Sequence, residues 1–252
     1  MILPRPSRRG LILALACSVA ALLAALSALP ARWLLLAAPQ GGIVSLADAG
    51  GTIWNGSAWI ALGPPGARRV LPQALQWQWH WRTLEMELRH PWLQGPLRLS
   101  PGWTGATLSA QSLRAPAAAL SALGSPWNTL APQGTLELKW QTLPLGGRLP
   151  AGPLAELRWR DAATALAPVN PVGSYVLRLQ GDGKSGGALA LSTESGLLDV
   201  SGQGSLSPRG AKFQGRATYA PKADVAERAA LDGLLSALGR RSEDVVTFGT
   251  GG

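Results

Sequence analysis

The chain has 252 residues, 46% of them apolar, which suffices for one domain with a real core and is short for two large ones. Gly and Pro number 31 and 20 while charged residues make up only 15%, a punctuation that suits short strands and turns and excludes a helical bundle. Of the net charge of +9, four units come from Arg5, Arg8, Arg9 and Arg32; the other 19 basic and 14 acidic residues are scattered, without the clustered patch that nucleic acid binding requires.

Leu11–Leu29 is a run of nineteen residues without a charge. As a helix it extends about 28 Å at ~1.5 Å per residue, close to the ~30 Å hydrocarbon core of a bilayer. Three arginines precede it and one follows, so the positive-inside rule keeps the N-terminus in the cytoplasm. Residues 1–10 are then expected as a cytoplasmic tail, 11–29 as a transmembrane anchor, 30–42 as interface and linker, and 43–252 as a β-rich domain outside the cytoplasm. Arg32 and Trp33 mark the membrane interface, where an indole ring favours headgroup depth. A cleaved signal peptide is the competing reading. Its apolar region would run only ~7–15 residues, and Pro30 and Arg32 stand where cleavage belongs.

The clearest periodicity lies in Leu75–Arg82. Leu75, Trp77, Trp79 and Trp81 alternate with Gln76, Gln78, His80 and Arg82, which predicts a half-buried strand with an apolar face that must be covered. Weaker alternation recurs at Glu85–Arg89, Leu97–Leu99, Gly134–Gln141, Leu154–Arg160, Tyr175–Gln180, Ala188–Ser192, Leu197–Leu206 and Lys212–Tyr219. Turn residues separate them at Pro144–Pro153, Gly181–Gly187 and Ser207–Gly210. Sequential strands with short turns predict an antiparallel meander, a curved sheet apolar on one face. Pro116–Leu123 reads as one or two helical turns. Pro221–Gly239 reads as a helix with Leu231, Leu234, Leu235 and Leu238 on one stripe and Gly239 suited to end it. Val245–Phe248 reads as a last short strand.

No catalytic constellation emerges. His80 falls on the polar face of its strand and His90 precedes Pro91; both read as surface residues without a nucleophile elbow nearby. Glu85 and Glu87 share a strand face and read as solvating it. Gly183-Lys184-Ser185 lacks the first glycine of a P-loop and reads as a hairpin turn. Two histidines and the single Cys17 exclude a structural zinc site and a disulfide framework, and Cys17 reads as a small apolar residue of the anchor. No cofactor, metal or small-molecule substrate is expected. Tryptophans could form a platform for sugar or acyl chains, but three on one alternating face read as core.

Gly51-Thr52-Ile53-Trp54-Asn55-Gly56 reads as a structural bend between strands at Ile43–Ala47 and Ser57–Leu62, with Gly51, Thr52, Trp54 and Gly56 as its key positions. Trp54 is expected to fold over the sheet and close its membrane-proximal end. This segment, the Trp77–Trp81 strand, Ala167–Tyr175, Gly196–Gly204 and Leu231–Arg241 together resemble, in order, the type II secretion system protein N family (general secretion pathway protein N). The resemblance implies a single-pass protein of the bacterial inner membrane with a periplasmic β-rich domain, and a non-enzymatic role beside other inner-membrane secretion subunits. It also implies a sheet similar to AsmA-like grooves, so that contact with membrane lipid, or lipid handling, is the alternative role.

Overall fold

The computed structural model describes residues 8–37, 42–103, 105–146, 148–208, 210–242 and 245–250. The expected cytoplasmic tail up to residue 7 and the linker residues 38–41 lie outside them. Helix α1 runs Arg8–Ser27 and α2 runs Trp33–Ala37. Every side chain from Ile12 through Ala28 is exposed, so α1 stands clear of the sheets. Among the described residues no helix is long and apolar enough to cross a membrane. The expected apolar span meets a helix that ends at Ser27, because Pro30 disfavours helical backbone at the residue before it. The side chains of Arg8 and Leu11 lie outside the described set.

The strands follow in chain order. The first six are β1 (Val44–Gly51), β2 (Asn55–Leu62), β3 (Arg69–His80), β4 (Glu85–Arg89), β5 (Leu97–Gly102) and β6 (Gly105–Leu108). Then come β7 (Gln111–Pro116), a 3-10 helix (Ala117–Leu123), α3 (Trp127–Leu130), β8 (Gln133–Trp140), β9 (Leu143–Leu145) and β10 (Ala151–Ala163). The chain continues through β11 (Gly173–Asp182), β12 (Gly187–Gly196), β13 (Leu198–Ser207) and β14 (Gly210–Tyr219). It ends with α4 (Val225–Leu238), β15 (Arg240–Ser242) and β16 (Val245–Thr250).

Two open antiparallel sheets result, where one curved sheet was expected. The first has the order β1-β2-β3-β4-β5-β6-β9, the second β15-β16-β14-β13-β12-β11-β10-β8-β7. They share a ribbon. Leu108 faces Leu143 across β6 and β9, and Gln111 faces Trp140 across β7 and β8, so the pairing register is the same on both sides of the break. The break is two irregular residues on each strand, Ser109-Ala110 and Gln141-Thr142. There the Trp140 indole N–H donates to the Ser109 carbonyl at 3.1 Å. The β4–β5 link also pairs along the β7 edge, with Gln94 N–H to Ser112 O at 2.9 Å and Arg114 N–H to Trp92 O at 2.7 Å. The Pro144–Pro153 stretch expected as a turn thus holds the last two residues of β9 and the start of β10. Three-residue β9 is set by this register, for its own sequence, Leu-Pro-Leu, carries no strand pattern.

Each sheet closes its core differently. In the nine-stranded sheet α4 lays Leu231, Leu234 and Leu235 on Leu198, Val200, Ala217 and Val246, all buried. Asp224 caps α4 by accepting from the Glu227 N–H at 2.8 Å, while the Glu227 carboxylate accepts from the Asp224 N–H at 2.9 Å. Gly239 ends the helix with extended backbone (φ 169°). Glycine is required there because a Cβ would lie 2.3 Å from the Thr247 carbonyl oxygen. In the seven-stranded sheet the core is Trp77 with Ala31 and Ala58, flanked by Leu34, Leu46, Met86 and Leu88.

The polar faces carry cross-strand ion pairs. Glu137, 8% exposed, is held between Arg114 and Arg160 at 2.8 and 3.0 Å. Glu87, expected to solvate its face, is likewise only 8% exposed and is covered by Arg89 (2.5 Å) and His80 (3.3 Å). His90 is not a surface residue either: it is buried, with Nδ1 accepting from the Trp92 N–H at 3.2 Å. Burial pushes its imidazole below the usual range, against a backbone hydrogen bond at Gln73 that raises it.

Candidate functional site

The helix and the seven-stranded sheet meet at the β1–β2 turn. Gly51 takes φ +82°, a left-handed conformation that glycine adopts without cost, and turns the chain out of β1. Thr52 closes the turn: its N–H donates to the Asn55 carbonyl at 2.9 Å, and its Oγ1 accepts from the Asn55 N–H at 3.1 Å. Gly56 opens β2, where a Cβ would lie 2.5 Å from the Gly50 oxygen and 2.7 Å from the Trp77 ring. The missing side chain lets the Trp77 ring approach the turn closely. The Trp77 Nε1–H is shared by the Thr52 and Ile53 carbonyls at 3.2 and 3.1 Å, so this buried indole fixes the turn from below.

The turn then grips the end of α1. A helix leaves its last carbonyls without partners of its own. Here the Trp54 Nε1–H donates to the Leu26 carbonyl at 2.7 Å, and the Ile53 N–H to the Leu29 carbonyl at 3.0 Å. In return the Gly51 carbonyl accepts from the Ala31 N–H at 3.0 Å, and Pro30 bridges to Thr52. No hinge separates the helix from the sheet. The chain passes from Ser27 into the clasp within two residues.

Trp54, Trp79 and Trp81 form an aromatic cluster over this junction. Trp54 lies 4.7 Å from Trp81 and 6.3 Å from Trp79 by ring centroids, and Trp79 lies 5.8 Å from Trp81. The three indoles expected on one buried face differ in burial. Trp77 is 5% exposed and Trp79 is half-buried, but Trp81 is 59% exposed, because β3 ends at His80 and Trp81 belongs to the following turn. Arg32 and Trp33 are both exposed just past the clasp. The backbone carbonyls of Leu26 and Leu29 carry no sequence signal of their own; Trp54, an amphipathic indole placed in a turn, is the residue that points to them.

Among the described residues no three His, Cys, Asp or Glu side chains come together as a metal site. Asp182 accepts from the Lys184 and Gly186 N–H groups at 2.7 and 3.2 Å, which makes the Gly181–Gly187 stretch a tight hairpin.

Two open antiparallel sheets, joined by one ribbon and clasped to an exposed apolar helix, make this a β-rich domain with few, short helices besides α1. The family model for the type II secretion system (T2SS), protein N, matches residues 43–248, and the chain belongs to that family. The matched span starts at the strand that leads into the clasp and ends within β16, so it takes in both sheets. A search of curated proteins and a search of solved structures each returned no match.

Proposed function

We propose that the protein is a non-enzymatic, inner-membrane accessory component of type II secretion. Its N-terminal helix anchors it with the N-terminus in the cytoplasm, and its sheets lie in the periplasm and dock other subunits through the anchor and the free edge of β1. The observation that carries this reading is the clasp. The Leu26 carbonyl in the last turn of an otherwise exposed apolar helix, and the Leu29 carbonyl just past that helix, are hydrogen-bonded into the domain that the family model matches. A helix that merely directs export and is then removed has no need of such partners.

The β1 edge supports the docking part, since an open strand edge invites addition of a partner strand. Val44 on that edge is 58% exposed. A photo-reactive amino acid at Val44 of the full chain, in cells assembling the secretion machinery, is expected to capture another inner-membrane subunit, with the chain itself in the membrane fraction. Recovery of a mature chain lacking α1 from soluble periplasm overturns the anchor. Absence of any subunit adduct at Val44, with secretion intact, overturns the docking role.

Lipid handling is the second reading, and one observation favours it. Leu157, Leu177 and Leu191 stand in register on one sheet face, beside Leu179 and Leu189, and all five are only half-buried. Acyl lipid retained by the purified full chain, and lost on Leu177→Glu, is the result that advances this reading over docking.

A further inference from the structure

The hairpin tips at the clasp end of the seven-stranded sheet share a property. Strands β1, β3, β5 and β9 run toward that end and β2, β4 and β6 run away from it, as the antiparallel registers require. The β1–β2, β3–β4 and β5–β6 turns therefore all lie there. They present Trp54 at the first tip, Trp81 and Leu84 at the second and Trp103 at the third. Trp81 is 59% exposed, Leu84 58% and Trp103 fully exposed. Among the described residues, the opposite end exposes Ile43, Val44 and Val70, while Trp92 in the β4–β5 link there is half-buried.

Depth follows from the hydrogen bonds. The Trp54 indole is bonded to Leu26, so it sits at the level of the last turn of α1, and Trp81 packs against it at a tilt of 50°. Whatever medium surrounds the end of α1 therefore surrounds this cluster. The β5–β6 tip lies four strand spacings from the β1–β2 tip, roughly 19 Å at ~4.8 Å per strand. Indoles favour the headgroup layer, where ring and N–H are both satisfied. Charge agrees: Arg32 and Arg82 are exposed beside these tips, and no acid precedes Asp48 in the sequence. Anionic headgroups attract such arginines.

We infer that this row of tips, Trp81, Leu84 and Trp103, seats the domain on the bilayer surface. The sheet then stands at a fixed orientation over the membrane instead of swinging on a tether. The inference rests on α1 being a membrane anchor, as proposed above.

The test uses the full chain with its only cysteine removed (Cys17→Ala) and single spin-labelled cysteines introduced as Leu22→Cys, Leu84→Cys, Trp103→Cys and Ala67→Cys. Leu22 lies in α1, and Ala67 is exposed in the β2–β3 turn at the opposite end. The protein is placed in vesicles of phosphatidylethanolamine and phosphatidylglycerol, and collision with oxygen is compared with collision with a water-soluble nickel reagent. The expected oxygen-to-nickel ratio is highest at position 22, several-fold above position 67 at positions 84 and 103, and lowest at 67. If position 22 is deep in the bilayer while 84 and 103 match 67, the seating is wrong and the anchor stands. A water-like ratio at position 22 overturns the anchor and the seating with it. Shielding of 84 and 103 from both reagents means that protein, not lipid, covers the tips, and overturns the inference.

Discussion

The two sheets are closed by different physics. The nine-stranded sheet is sealed by an apolar helix face, with Leu231 and Leu235 fully buried beneath a capped α4. The seven-stranded sheet has a small apolar core around one indole and is completed by hydrogen bonds from turn to helix terminus. Burial is non-directional and tolerates some sliding, whereas hydrogen bonds to fixed carbonyls set position and angle. The first device makes a stable body. The second makes a joint of defined geometry, which is what a domain held against another structure needs.

The comparison breaks most sharply at the two cores. Trp77→Ala removes a buried ring and two hydrogen bonds beneath the clasp and should cost about 3–5 kcal/mol; Leu235→Ala should cost about 2–5 kcal/mol. Hydrogen exchange separates them: Trp77→Ala should loosen the β1–β2 turn and the end of α1, and Leu235→Ala should loosen β14 and β16. Equal loosening everywhere for both variants means that the sheets unfold as one unit and the contrast has no energetic meaning.

Next in size is the joint itself. Trp54→Phe keeps an aromatic ring but loses the bond to the Leu26 carbonyl, a change of about 0.5–1.5 kcal/mol. Chemical unfolding should register this modest loss, while exchange at the start of β2 rises and α4 is untouched. A variant as stable as the parent with unchanged exchange shows that the indole N–H does not hold the helix. Of similar size at the other end, Asp224→Ala removes the α4 cap and should cost about 1 kcal/mol, read as a lower unfolding midpoint.

The smallest effect is electrostatic. Partial burial pushes the Glu156 carboxyl up, but hydrogen bonds from Arg178 and Arg158 outweigh it and leave the group below its ordinary value. A carboxylate depressed in the folded state contributes stability at pH above its unfolded value and loses it as the pH falls through the folded one. The pairs are partly exposed, so the contribution is at most about 1 kcal/mol. Stability should therefore decline as the pH is lowered from about 4.5, and Glu156→Gln should reduce that slope. An unchanged slope assigns the acid sensitivity to other carboxylates.

Alternation made the long strands readable. Glu85–Arg89 has the bounds expected, and the Leu231, Leu234 and Leu235 stripe marked α4, whose Leu238 side chain is outside the described set. Periodicity names a face but not what covers it. Alternation therefore reads Glu87 and His90 as exposed, although Arg89 and His80 roof the first and the second is buried in the β4–β5 link. It also cannot place the end of a strand, which is why Trp81 counted with the buried face. Short β6, β7 and β9 carry little pattern because their positions are dictated by partners. The clasp was legible as a bend at Gly51 and Gly56, but its grip on Leu26 spans 28 residues and joins an indole to a backbone carbonyl, an interaction with no composition or spacing signature.

The ribbon common to both sheets has a consequence for how such a chain can change by descent. Because the register on the two sides of the break is continuous, one residue added at Ser109-Ala110 alone would exchange inward and outward side chains on β7 and displace its pairing with β8. Compensation requires a matching addition at Gln141-Thr142, more than thirty residues later in the sequence. At the two ribbon breaks, length variation should thus occur only in pairs. The ribbon acts as a ruler that locks the spacing of one sheet to the other through insertion and deletion.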